Sequence, residues 1–129
     1  MQAATGAASK DEMKIFLICS VRGASTETLA AQESYVRALE EQGHEVHYPP
    51  RDTDQGAAGI AICAQNLAAI AASDEVHVWY TPDSQGTHFD MGMAFALDKT
   101  VRVPRTVEYG PGKSYARMLD EWAFGGRYR

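Results

Sequence analysis

The stretch Ser84-Gln-Gly-Thr-His-Phe-Asp-Met-Gly92 places a carboxylate, Asp90, between a segment that reads as a buried strand, Glu75 to Tyr80, and one that reads as an apolar helix, Met91 to Leu97. Such a carboxylate has two uses. Facing a ligand at the carboxyl edge of a parallel sheet, it can act as a nucleophile or a base. Standing three residues after Thr87, it can instead complete a capping box and satisfy the first amides of the helix. Local sequence leaves both open. An earlier turn, Ser20-Val-Arg-Gly-Ala-Ser-Thr26, combines a hydroxyl, a cation, a glycine that lets backbone approach and a helix amino terminus, the parts of a cradle for a phosphate monoester. Here too a plainer reading exists: Arg22 as a solvated surface residue, and Ser25 or Thr26 as an ordinary N-cap.

Both turns need a scaffold that brings them to one edge, and the hydrophobic pattern supplies it. Lys14 to Cys19 is a short apolar run suited to a strand covered on both faces. A helix is expected from Ser25 or Thr26 to Gln42, with Leu29, Val36 and Leu39 on one face and Gly43 ending it. His44 to Tyr48 reads as a second strand stopped by Pro49-Pro50, and Arg51 to Gly59 as a polar loop. Ile60, Cys63, Leu67 and Ile70 mark the expected core face of a second helix. After the third strand and third helix come a fourth strand, Thr100 to Val103, and a last helix with Tyr115, Met118, Leu119 and Trp122 on its apolar face. A fifth short strand over Arg105 to Glu108 is left open. Alternating strands and helices predict an α/β fold of Rossmann-like or flavodoxin-like architecture: a mostly parallel sheet of four to five strands with helices on both faces.

With 129 residues, the chain is expected to form a single domain over residues 13–129, preceded by a loose Ala-, Gly- and Ser-rich tail over 1–12. A hydrophobic content of 45%, 22% charged residues and a net charge of -5 describe an ordinary soluble protein and argue against nucleic acid or an anionic membrane as partner. No apolar run approaches the roughly 20 residues that span a bilayer, and the first dozen residues carry no positive n-region or apolar h-region, so a cytoplasmic location is expected. Cys19 and Cys63 form neither a metal-ligand spacing nor a disulfide framework. His44, His47 and His77 flank or lie in strands without companion ligands and are assigned no function.

Together, the early Cys-Ser-Val-Arg-Gly turn and the later Pro-Asp-Ser-Gln-Gly-Thr-His-Phe-Asp-Met-Gly loop resemble the nucleoside 2-deoxyribosyltransferase superfamily, most closely its 2'-deoxynucleoside 5'-phosphate N-hydrolase branch. The resemblance covers residues 14 to 103. It implies that Asp90 occupies the position of the family's glutamate, which attacks the anomeric carbon to give a glycosyl-enzyme intermediate. Water then releases the sugar in the hydrolases, and a second base takes it in the transferases. Ser20, Arg22, Gly23 and Ser84 match residues that hold the 5'-phosphate, and Gly86 belongs to the same loop. The family needs no metal or organic cofactor for this displacement, acts on small nucleosides or nucleotides, and assembles through its helices, so a homodimer or larger homo-oligomer is implied.

The chain departs from that pattern around the sugar. Asp90 is one methylene shorter than glutamate. Asn66 stands where the family has an aspartate that helps proton transfer, and an amide exchanges no proton. Phe16 replaces a tyrosine, and Cys19 and His88 replace glycines. One reading is a working N-glycoside enzyme with a rebuilt pocket, in which His88 is the proton donor, Phe89 stacks on the base and Asp52 or Asp54 reads a base edge. The competing reading is a nucleotide-binding protein that has lost the chemistry, with Phe89 in the core and Asp52 and Asp54 as turn residues. A third, from another class, is a flavodoxin-like protein whose Ser20 to Glu27 loop holds flavin mononucleotide beside Trp79-Tyr80. Its arginine-containing turn fits that reading poorly.

Overall fold

The strands form where apolar residues run continuously, because a parallel strand covered on both faces has no polar side to show. In a computed structural model, which describes residues 11–125, these are β1 (Lys14–Ile18), β2 (Glu45–His47), β3 (Glu75–Val78) and β4 (Thr100–Arg102). They pair in the order β2-β1-β3-β4, every pair parallel. That is the flavodoxin-like doubly wound order, with its reversal between β1 and β3. No strand forms over Arg105 to Glu108. The expected tail lies outside the described residues apart from Asp11 and Glu12.

Helix α1 (Thr26–Glu41) follows β1, α2 (Pro49–Asp52) follows β2, α3 (Gly59–Ala72) precedes β3, α4 (Gln85–Ala96) follows β3, and α5 (Tyr115–Phe124) follows β4. Successive side chains of a strand point to opposite faces, so β1 sends Ile15, Leu17 and Cys19 to a core shared with Val36 of α1, and Phe16 and Ile18 to a core shared with Ile70, Met91, Ala94, Leu119 and Trp122 of α3, α4 and α5. The sheet is thereby covered on both sides. No helix of the described residues is long and apolar enough to cross a membrane.

Three expectations are corrected here. Pro49-Pro50 stops β2 but also starts α2, because proline's fixed φ suits a first helical turn; Arg51 and Asp52 are therefore helical rather than loop. On α3 only Ile70 of the expected core face is fully buried, while Ile60 is 82% and Leu67 43% exposed. The helix reads Gly-Ile-Ala-Ile-Cys-Ala-Gln-Asn-Leu-Ala-Ala-Ile-Ala-Ala, apolar nearly all round, so periodicity could not select its inner face. Tyr115, placed on the apolar face of the last helix, is 66% exposed, whereas Leu119 and Trp122 are buried as expected.

Candidate active site

Open α/β sheets bind ligands beyond the carboxyl ends of their strands where the strand order reverses, here between β1 and β3, and both chemistry-bearing loops leave the sheet at that edge. In the first loop, Ser25 caps α1 by accepting from the Thr28 amide, Ser20 Oγ donates to the Arg22 carbonyl at 3.1 Å, and Gly23 adopts φ 76°. A Cβ on Gly23 would meet no atom within 4 Å; glycine is required there by the left-handed backbone rather than by space. Arg22 is exposed, with its guanidinium at the surface of the turn.

In the second loop the Ser84 hydroxyl accepts from the Thr87 amide at 3.1 Å and begins α4. The cap therefore stands three residues before Thr87, and the capping-box reading of Thr87 with Asp90 is wrong. Asp90 sits about one and a half turns beyond the cap, beyond the reach of the first-turn amides. It is 6% exposed, and burial pushes its carboxyl up to about 6, against the lesser, opposing hydrogen bond from Asn66. Burial rather than a helix terminus therefore governs its ionisation.

Around Asp90 the structure assembles a chain of polar side chains from four elements. The Asn66 amide donates to Asp90 Oδ2 at 3.4 Å, Thr53 Oγ1 donates to Asn66 Oδ1 at 2.8 Å, and His47 Nε2 lies 2.8 Å from the same Thr53 oxygen. Since the Thr53 proton points to Asn66, the His47 ring supplies the N–H of its own bond. Phe16 stacks on that ring, with centroids 5.0 Å apart. Asn66 is thus held with its carbonyl toward Thr53 and its amide toward Asp90: it orients the carboxylate and, as expected, offers it no proton. Burial, then the nearby Asp90 charge, pushes the Cys19 thiol up to about 12, so Cys19 remains a neutral thiol facing the carboxylate's field.

Other expected site residues lie elsewhere. His88 is two residues from Asp90 and about 200° round the helix from it. The Ser84 carbonyl accepts from His88 Nδ1 at 2.7 Å, and Nε2 is left to accept from the Tyr80 hydroxyl at 2.8 Å; it is not the proton donor beside Asp90. Phe16 is fully buried and acts through His47 rather than on a ligand. Asp52 accepts from the Tyr48 amide and pairs with Arg51, and Asp54 closes a turn on the Gly56 amide, so both serve local backbone. Gly86 and Phe89 lie on the outer side of α4, Phe89 56% exposed and not in the core. His47 and Thr53, which sequence reasoning passed over, belong to the cluster; the signal was His47's place at the carboxyl end of β2, on the edge where ligands bind. Among the described residues no group of three His, Cys, Asp or Glu side chains is arranged to hold a metal ion.

The nucleoside 2-deoxyribosyltransferase family model matches residues 15–110. Two solved structures share the fold. One is the CMP N-glycosidase BcmB of Clostridium botulinum, 23% identical over 70% of this chain and 69% of that one, with a TM-score of 0.50. The other is a 2-deoxyribosyltransferase from the psychrotolerant bacterium Bacillus psychrosaccharolyticus, 20% identical over 74% and 77%, with a TM-score of 0.58. No curated protein matches the chain by sequence.

Proposed function

The chain belongs to the nucleoside 2-deoxyribosyltransferase family, and from that premise we propose that it binds a nucleoside 5'-monophosphate or related nucleoside and cleaves or transfers its N-glycosidic bond, with Asp90 as nucleophile. The observation that carries this reading is a buried carboxylate, Asp90, oriented by Asn66 and carried on the helix that follows β3, next to the strand whose carboxyl end leads into the Ser20 to Gly23 turn. An oxygen of Asp90 attacks the anomeric carbon as its bond to the base nitrogen breaks, and that electron pair leaves with the base, which takes a proton from water. Water, or the nitrogen of a second base, then displaces Asp90 from the sugar. Ser20, Arg22, Gly23 and Ser84 hold the phosphate and fix the sugar in line. No metal or organic cofactor enters this scheme.

Incubation with a panel of nucleosides and their 5'-monophosphates should release free base, with a rate that rises as pH passes about 6, because the attacking group is the ionised form of Asp90. A rate falling through that range would remove Asp90 as nucleophile. One observation favours the non-catalytic reading: Asp90 is only 6% exposed, on a side chain already short for the family's chemistry. Saturable nucleotide binding with no base released from any member of the panel would establish that reading instead.

We further propose that the chain forms a homodimer through the outer faces of α3 and α4. Ile60 and Leu67 stand exposed on a helix that is apolar all round, and Phe89 on the neighbouring helix is 56% exposed; clustered apolar surface of this kind marks an interface. Light scattering at micromolar concentration should give twice the monomer mass, and Leu67→Glu should halve it. A monomer throughout a dilution series overturns the assembly.

A further inference from the structure

The carboxyl edge carries a cavity of about 560 Å³ between the β3–α4 loop and the segment joining β4 to α5. That is the size of a small-molecule site. Its walls include the rings of Tyr80, Tyr109, Tyr115 and His88 and the carboxylates of Asp83 and Glu108, with Ser84 at the border it shares with the phosphate cradle, and no lysine or arginine lines it. Of the nearby arginines, Arg105 donates to the Tyr80 carbonyl and lies over Trp79, and Arg117 pairs with Glu121 beneath Tyr109.

The aromatic wall is built rather than incidental. Tyr80 and His88 meet edge to face at 5.2 Å between centroids, and Tyr115 lies 5.4 Å from His88. The Tyr109 hydroxyl is fixed by donating to Asp120 at 2.8 Å. Yet Tyr115 remains 66% and Tyr109 43% exposed, so the rings surround an opening without filling it. Aromatic faces and carboxylates both attract positive charge.

We propose that this cavity is a second binding site, for a small organic cation carrying a primary or quaternary ammonium on an apolar body, with the charge against Asp83 and Glu108 and the body against the tyrosine rings. The site adjoins the phosphate cradle, with Ser84 common to both, and its existence does not depend on whether Asp90 cleaves a nucleotide.

Choline and its neutral isostere 3,3-dimethylbutan-1-ol test this directly, by titration into the full chain at fixed ionic strength with amide NMR as readout. Choline should bind saturably, about tenfold more tightly than the isostere, with shifts at Tyr80, Tyr109 and Tyr115. Tyr115→Ala and Glu108→Gln, both at exposed positions, should each weaken choline about fivefold or more, and Arg22→Ala should not change it. Equal binding of choline and the isostere, absence of saturation, or indifference to both variants would each overturn the proposal.

Discussion

Replacing Asp90 with Asn is expected to abolish base release and, at the same time, to make the protein more stable at neutral pH. The loss of turnover follows from removing the nucleophile and should be at least about 10³-fold. The gain in stability follows from burial. In the folded chain the Asp90 carboxyl titrates at about 6 rather than 3.8, so between those values the unfolded chain releases a proton that the folded chain keeps. Stability therefore falls as pH rises through that window, and above it the folded state carries a desolvated charge. An asparagine carries none, and its carbonyl still accepts from Asn66. At about 1.4 kcal/mol per pH unit, the variant should be stabilised by roughly 1 to 3 kcal/mol at pH 7.5, and the gain should vanish near pH 4. Thermal melting at both pH values beside turnover separates the outcomes. Undiminished turnover rejects the nucleophile, and inactivity without added stability rejects the desolvated acid.

Why Asp90 was misplaced in the sequence is a matter of one helical turn. Ser84 and Thr87 are both good N-caps, and the glycine between them gives no reason to prefer a start at either. Choosing Thr87 makes Asp90 a first-turn acid favoured by the helix dipole. The observed bond from the Thr87 amide to Ser84 Oγ makes it a buried residue of the second turn. His88, two residues earlier on the same helix, faces Tyr80 instead.

The strand order was legible to the extent that four apolar runs separated by helices admit few topologies, and the two loops were correctly brought to one edge. Inner and outer faces were not legible on α3, because a helix with apolar residues on every side carries no moment. His47 and Thr53 escaped notice for another reason. They reach Asp90 only through Asn66, across residues 13 to 24 positions apart, and such tertiary pairing leaves no local spacing. Asn66 uses its amide as a clamp on Asp90, so its observed part is orientation of the carboxylate.

The phosphate cradle supplies the second large effect. Arg22→Ala is expected to weaken binding of deoxynucleoside 5'-monophosphates by roughly 1.5 to 3 kcal/mol, the worth of hydrogen bonds to a charged group, which is about 10- to 150-fold in Kd. The side chain is exposed on a turn whose shape is set by other residues: Gly23 with its φ of 76°, Ser20 bonded to the Arg22 carbonyl, and Ser25 capping α1. Truncation at Cβ therefore leaves the backbone amides of the cradle in place, and what is lost is the cation alone. Two readouts isolate it. Calorimetric titration should show the affinity for monophosphates falling toward that for the matching nucleosides, whose own affinity should stay the same. Raising the salt concentration should narrow the gap between wild type and variant, since an exposed charge is screened. An unchanged Kd, or equal losses for nucleoside and nucleotide, would place the phosphate away from Arg22 and leave the β1 turn as a structural cap.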